Sequence, residues 1–294
     1  MSETSEPRFG RANADGIELA WAEWGDSAAP ADRTIVAIHG ITANLYSWGA
    51  LAPVLVRADF RFIAYDLRGR GESSKPATGY NTAIHADDLL GLLDFFKLPY
   101  ANLVGHSLGA VVGLHFAAKY PERIRRLVLL DHGMDTPADA RQTINSSFSR
   151  LNMTFDSRED HLKFFQASPV YPNWTEYVER FVAYDGQVQP DGTVKTKVLP
   201  TAAEEDLSSQ YLPEYLPSRL YSSVKAPTLI LRATIGTLDG GKSGFILTQE
   251  GAQTLNRRLA GSRLVDIEGV NHYTITLDPT PQVTQEIIDF LNKE

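Results

Sequence analysis

Strand-like and helix-like patterns alternate along most of the chain. Residues 17–24 alternate apolar and polar side chains between turn signals, which predicts a half-solvated strand in an antiparallel edge hairpin. Continuous apolar runs, typical of strands buried in a parallel sheet, follow at residues 34–38, 60–65, 124–130, 228–231 and 264–267, and a shorter run ends at Val104. Helix-like stretches occur at residues 45–56, 81–98, 110–118, 249–259 and 282–291. The pattern predicts an α/β fold with a mainly parallel central sheet and helices on both faces, preceded by a loose tail at residues 1–10.

Residues 134–224 interrupt this alternation. They contain helical segments rich in aromatic side chains, and a polar stretch at residues 185–200 whose turn signals predict a hairpin. The interruption starts where a buried strand ends, and ligands of open α/β sheets bind at the carboxyl ends of the strands. We therefore predict a core domain formed by residues 1–133 and 225–294, with a mainly helical cap, residues 134–224, over its binding site.

Composition and charge narrow the class of protein. A chain of 294 residues with 43% hydrophobic residues can bury a large core. The net charge of −8 argues against nucleic acid and anionic membrane surfaces as partners. The chain has no cysteine, which excludes disulfides, thiolate catalysis and Cys-ligated zinc. It starts with a polar, acidic segment and has no apolar stretch of transmembrane length, so we expect a cytoplasmic protein that acts on a small molecule.

The strongest chemical signal is a Gly-x-Ser-x-Gly pentapeptide at residues 105–109. It follows an apolar run and opens a helix-like stretch, which is the strand–turn–helix context of a nucleophile elbow. A sharp turn there strains the backbone of Ser107, and the flanking glycines leave room where a Cβ would clash. The start of the helix also directs free N–H groups at a developing oxyanion. The pattern predicts Ser107 as a nucleophile; the alternative is a glycine-rich turn with an incidental serine.

Four motifs together resemble the α/β-hydrolase family, and specifically its capped, esterase-like branch. In chain order they are His39-Gly40, the run Asp66-Leu67-Arg68-Gly69-Arg70-Gly71, the pentapeptide around Ser107, and Asn271-His272. The resemblance implies an α/β-hydrolase fold from about residue 16 to residue 292. It also implies that His272 is the base that activates Ser107, and that the backbone N–H groups of Ile41 and Leu108 form the oxyanion hole.

The acid of the expected catalytic triad has two candidates. The commoner family position follows the strand at residues 228–231, but Asp239 comes two or three residues late there. Some members of the fold take the acid from the end of the strand after the elbow, where Asp131 stands. We prefer Asp131 because it directly follows an apolar strand, whereas Asp239 lies in a polar loop poorly suited to fixing an imidazole. A carboxylate oxygen of Asp131 should then lie about 2.6–3.2 Å from His272 Nδ1.

These residues predict a serine hydrolase that cleaves a carboxylic ester or a lactone through an acyl-enzyme intermediate. A carbon–carbon bond hydrolase acting on a diketone would use the same triad, and a hydrolase-fold ligand receptor with little turnover is a further alternative. Nothing in the sequence indicates a metal, since there is no His-Glu-x-x-His and no clustered ligand spacing, and we expect no cofactor.

Aromatic side chains and the remaining histidines complete the expectations. The aromatic residues of the predicted cap, Phe165 and Trp174 among them, together with Tyr46 and Trp48 near the oxyanion loop, indicate an apolar substrate pocket. His85 and His161 are expected to be solvated on amphipathic helices. His39 should hold the loop that follows it, and His132 has no assigned role.

Overall fold

This computed structural model describes residues 6–136, 144 and 147–293. A central β-sheet forms the core of this part of the chain. The described strands are β1 (Arg8–Ala14), β2 (Ile17–Trp24), β3 (Thr34–Ile38), β4 (Arg61–Tyr65), β5 (Ala101–His106), β6 (Ile124–Leu130), β7 (Gly186–Val188), β8 (Val194–Thr196), β9 (Thr228–Ala233) and β10 (Ser262–Ile267). Eight of them form one sheet in the order β1-β2-β4-β3-β5-β6-β9-β10, and β7 pairs with β8 as a separate hairpin. Each neighbouring pair from β4 to β10 is parallel, which confirms the predicted fold class.

Strand β1 corrects the expectation of a loose tail over residues 1–10. It pairs antiparallel with β2 from Arg8, which faces Glu23, to Ala14. An ion pair of 2.5 Å between the side chains of Arg8 and Glu23 ties its first residue to the sheet. The predicted edge hairpin is present, but it begins inside the segment that we expected to be unstructured.

Helices cover both faces of the sheet, as predicted. The described α-helices are α1 (Ala52–Arg57), α2 (Thr82–Phe95), α3 (Leu108–Lys119), α4 (Arg158–Gln166), α5 (Glu176–Asp185), α6 (Pro200–Ser209), α7 (Gln249–Arg258), α8 (Thr274–Leu277) and α9 (Pro281–Leu291). Side chains of α2, α3 and α7 share one buried apolar cluster, and side chains of α1 and α9 share a second cluster. The single helix expected over residues 45–56 is divided into a 3-10 turn, Leu45–Trp48, and α1. Pro53 explains the second start, because proline suits the first turn of a helix.

The segment between β6 and β9 contains α4, α5, α6 and the β7–β8 hairpin. Its side chains form an apolar cluster of their own around Phe165, Tyr171 and Val178, which also takes in Leu277 of α8. Helix α6 lies against the loop after β4, where the backbone N–H of Leu199 donates to Gly69 O at 2.8 Å. The segment is mainly helical in its described part, and its role as a cap stays a prediction.

Two histidines that we expected to be solvated are buried. His85 is 0% exposed and His161 is 2% exposed. The Nε2 atom of His85 bonds to Asp206 at 2.9 Å, and His161 lies 3.9 Å from the carboxylate of Asp185. Both predictions were wrong because each ring packs beside an aspartate from a later element of the chain, which the pattern of its own helix does not show.

Candidate active site

Ser107 lies in a tight turn between β5 and α3. Its backbone has a φ of 56°, in the left-handed region that a serine rarely adopts. A Cβ at Gly105 would lie 2.2 Å from Gly109 O, and a Cβ at Gly109 would lie 2.0 Å from Ile38 O. Only glycine fits at these two positions, because Gly105 lies against the backbone at Gly109, and Gly109 lies against the end of β3. The turn presents Ser107 to a cavity at the carboxyl edge of the sheet.

The structure brings Ser107, His272 and Asp131 together. His272 Nε2 lies 3.0 Å from Ser107 Oγ, and His272 Nδ1 lies 2.8 Å from Asp131 Oδ2. The other carboxylate oxygen of Asp131 accepts a hydrogen bond of 2.9 Å from the backbone N–H of Ala233. The alternative acid, Asp239, bonds instead to Ser243 within the loop after β9. The ring is therefore held at both nitrogens in the arrangement of a nucleophile, a base and an orienting carboxylate.

Burial sets the protonation of this cluster. Desolvation lowers the pKa of His272 to about 3, which keeps the ring neutral near pH 7. Burial also raises the pKa of Asp131, against the effect of the Ala233 N–H and of Arg232. The carbonyl oxygen of His272 accepts a hydrogen bond of 2.7 Å from His106 Nε2, which fixes the backbone of the loop. A neutral His272 that donates from Nδ1 leaves the lone pair of Nε2 free to accept the Ser107 proton.

The two residues predicted to supply the oxyanion hole, Ile41 and Leu108, both line the cavity that Ser107 faces. Leu108 is the first residue of α3, so its N–H has no partner within the helix. Ile41 follows Gly40, where a Cβ would come within 3.1 Å of Ser107 Cβ. Within the described residues neither N–H donates to another backbone carbonyl, and both residues line the cavity. Ile41 and Leu108 therefore stay the predicted donors of an oxyanion hole.

The cavity at Ser107 has a volume of about 490 Å³. The aromatic side chains that line it within the described residues are Phe164, Phe165, Tyr171, Phe181 and Tyr273. Small hydroxyl residues, Thr42, Ser47, Ser168 and Thr276, complete much of its wall. The wall is therefore mainly apolar, with scattered neutral hydrogen-bonding groups.

Three aromatic residues expected at the pocket are not among its described lining residues. Trp174 instead donates its indole N–H to Glu179 at 3.1 Å. Trp48 is buried against Phe62 in the core, and Tyr46 packs on Tyr184. The expectation was wrong for these three because nearness in sequence to the oxyanion loop, or to other aromatic residues, does not set the direction of a side chain.

Sequence reasoning missed several polar residues of the cavity wall, among them His132 and Arg150. Burial lowers the pKa of His132 to about 4, so this ring is neutral near pH 7. Arg150 pairs with Asp185 at 3.0 Å. The position of His132 at the carboxyl end of a strand could have indicated the site, whereas no local pattern marks Arg150.

The described residues contain no group of three or more His, Cys, Asp or Glu side chains that could hold a metal ion. In the same part of the chain no helix is both long enough and apolar enough to cross a membrane.

Comparison with known proteins identifies the family. The family model described as the alpha/beta hydrolase fold matches residues 33–278. A 2-(acetamidomethylene)succinate hydrolase of Mesorhizobium japonicum is 31% identical over 245 residues, which cover 82% of each chain. A 2-hydroxymuconate semialdehyde hydrolase of a Pseudomonas species is 34% identical over 131 residues, which cover 42% of this chain and 46% of the relative.

Solved structures agree with this assignment at the level of the fold. The crystal structure of E-2-(acetamidomethylene)succinate hydrolase superposes with a TM-score of 0.83 at 24% identity, over 98% of this chain and 100% of that chain. An enol-lactonase from Burkholderia xenovorans superposes with a TM-score of 0.69 at 22% identity, over 97% of this chain and 100% of that chain. The chain belongs to the α/β-hydrolase fold family, and it is a hydrolase.

Proposed function

We propose that the protein hydrolyses a small, uncharged carboxylic ester or lactone, with Ser107 as the nucleophile. The observation that carries the proposal is the chain of two hydrogen bonds from Ser107 Oγ through His272 to Asp131, 3.0 Å and 2.8 Å long. A serine hydroxyl is a weak nucleophile until a base accepts its proton. In this arrangement His272 is the base, and its hydrogen bond to Asp131 holds the ring in one tautomer.

The proposed reaction has two halves. Ser107 Oγ attacks the carbonyl carbon of the substrate while its proton passes to His272 Nε2, and the resulting oxyanion accepts hydrogen bonds from Ile41 and Leu108. The tetrahedral intermediate then expels the alcohol oxygen, which takes the proton from His272, and an acyl-enzyme on Ser107 remains. In the second half a water molecule gives its proton to His272 and attacks the acyl carbon, and Ser107 leaves with the proton restored.

The cavity favours an uncharged substrate. Arg150 is the only Lys, Arg, Asp or Glu side chain among the described lining residues, and its carboxylate partner Asp185 lies 3.0 Å away. The name of the Mesorhizobium relative gives a substrate built on succinate, which carries two carboxylates. We therefore propose that this chain departs from that relative in substrate charge. We also propose that residues 134–224 form the cap, because Phe164, Phe165, Tyr171 and Phe181 lie at the wall of the cavity.

A carbon–carbon bond hydrolase is the second candidate function. The Pseudomonas relative is named for 2-hydroxymuconate semialdehyde, a compound whose name contains no ester. The same base and oxyanion hole could serve a ketone substrate. In this reading the substrate would be a diketone rather than an ester.

Hydrolysis assays with aryl esters and lactones of graded chain length test the proposal. Vinylogous diketones test the second candidate function, and succinate half-esters serve as charged controls. We expect hydrolysis of uncharged esters or lactones, abolished in Ser107→Ala, and slower hydrolysis of the charged controls. Turnover of the diketones alone would support the second candidate. A folded wild-type protein that hydrolyses none of these compounds would contradict both and favour a ligand receptor.

A further inference from the structure

The loop that carries the Ile41 N–H is held at three consecutive carbonyl groups. Gly40 O accepts from His39 Nδ1 at 2.8 Å, Ile41 O accepts from Arg70 Nε at 2.9 Å, and Thr42 O accepts from Arg150 Nη2 at 2.6 Å. A peptide group is planar, so the N–H of Ile41 shares a plane with the carbonyl of Gly40. The peptide groups on both sides of Ile41 therefore have fixed orientations.

The guanidinium of Arg70 is buried, and it makes two hydrogen bonds and one ion pair. It is 0% exposed. Besides Ile41 O, it reaches Arg68 O with Nη1 at 3.1 Å and the carboxylate of Asp206 with Nη2 at 2.6 Å. A planar guanidinium can hold a carbonyl and a carboxylate at set angles, whereas an ammonium group cannot. Arg70 thus links the oxyanion loop to Asp206, the carboxylate that pairs with its positive charge.

Asp206 lies on α6, in the segment between β6 and β9. It is 0% exposed, and His85 Nε2 bonds to both of its oxygens, at 2.9 and 3.1 Å. Burial acts to raise the pKa of this carboxyl, but His85 and Arg70 outweigh that effect and lower the pKa. Leu207, the next residue on the helix, lines the cavity. The same helix therefore contributes to the cavity wall and holds the arginine under the oxyanion loop.

We propose that Arg70 and Asp206 are positioning residues for the oxyanion hole, and that through them helix α6 sets the place of the Ile41 N–H. The proposal rests on the proposed function, since it takes Ile41 as an oxyanion donor. Neither side chain touches the substrate cavity within the described residues. Loss of the ion pair releases Arg70 from the Ile41 carbonyl and frees the Ile41–Thr42 peptide group. That group adjoins the peptide group that carries the Ile41 N–H, so the donor is held less firmly at the oxygen that it serves in the transition state.

A second arginine–aspartate pair in the same loop provides a matched control. Arg68 bonds to Asp88 at 2.5 and 2.6 Å, and the Asp88 side chain is 4% exposed. The Arg68 side chain also donates to Gly79 O at 3.2 Å, away from the oxyanion loop. Asp88→Asn therefore breaks a largely buried arginine–aspartate pair whose arginine lies in the same loop as Arg70 but does not bond to Ile41.

The test compares Asp206→Asn and Arg70→Lys with Asp88→Asn. We expect kcat for an aryl ester to fall about 10- to 100-fold in both test variants, with KM changed by about twofold or less, because the lost interaction acts in the transition state. We expect Asp88→Asn to keep kcat within about threefold even if its melting temperature falls. Hydrogen exchange of the amides at residues 39–43 should be faster in the test variants than in the control.

The outcomes separate this proposal from the proposed function. If the test variants match Asp88→Asn in kcat and in exchange, or if only KM rises, the positioning role is wrong. If Asp206→Asn does not fold, Arg70→Lys decides the question, since it keeps the charge beside Asp206. If the wild-type protein hydrolyses no ester, the proposed function fails, and the exchange rates alone decide whether the pair holds the loop.

Discussion

Replacement of Asp131 by asparagine should remove most of the activity by giving His272 the wrong tautomer. Asp131 Oδ1 accepts from the Ala233 N–H at 2.9 Å, so an asparagine must place its carbonyl oxygen there. Its amide NH2 group would then face His272 Nδ1, at the position where Asp131 Oδ2 now lies 2.8 Å away. The imidazole must accept at Nδ1, which puts its proton on Nε2 and points that proton at Ser107.

The size of the effect follows from this change of tautomer. A base whose Nε2 is already protonated cannot accept the serine proton, and the equivalent replacement in a serine protease triad lowers kcat about 10,000-fold. That factor corresponds to about 5 kcal/mol of transition-state stabilisation. Asparagine has the shape of aspartate and keeps the bond to Ala233, so the folded protein should survive the change.

Steady-state kinetics with an aryl ester measure the effect, and Asp239→Asn is the matched control. Asp239 bonds to Ser243 in an outer loop, so its replacement should lower kcat by about tenfold or less. A fall of less than about tenfold in Asp131→Asn, in a protein with an unchanged melting temperature, would refute the assignment of Asp131 as the acid.

Three further predictions follow from the site and its surroundings. His272→Ala should lower kcat about as much as Ser107→Ala, because triad members act as a unit. In the wild type kcat/KM should fall only well below pH 6.5, since burial lowers the pKa of His272. Wild-type activity in His272→Ala, or a loss of wild-type activity that begins above pH 6.5, would contradict the role of His272 as the base. Phe165→Ala should extend the range of accepted ester chain lengths, whereas Trp174→Ala should leave it unchanged, because Phe165 is among the described lining residues of the cavity and Trp174 is not. Protein stability should fall as pH drops below 6.5, by up to about 1.4 kcal/mol per pH unit from His39, whose folded-state pKa of about 3 lies below its unfolded value. Denaturant unfolding at pH 7, 6 and 5 measures that slope, and an unchanged slope in His39→Gln would contradict the contribution of this residue.

Local patterns were sufficient to predict the sheet, because its buried strands are continuous apolar runs that can be recognised without knowing which strands they pair with. The elbow was also predictable, since the space around Gly105 and Gly109 admits no other residue. Strand β1 was not, because its residues Arg8–Ala14 have no clear alternation and become a strand only through pairing with β2.

Contacts between distant residues explain what the sequence did not reveal. His85 meets Asp206 over a separation of 121 residues, and Arg150 meets Thr42 over 108 residues. Each side chain taken alone matches the pattern of a solvated helix position or a polar loop. Their burial follows from how the segment between β6 and β9 lies on the sheet, and no periodicity in the sequence specifies that placement.

Covalent labelling tests the central claim, that Ser107 is the nucleophile, most directly. A fluorophosphonate should modify the folded protein once, and peptide mass mapping should place the adduct on Ser107. The label should be absent from Ser107→Ala and should form much more slowly in His272→Ala, which lacks the base 3.0 Å from the hydroxyl. Labelling of another residue at the same rate in Ser107→Ala, together with ester hydrolysis at the wild-type rate by that variant, would contradict the account.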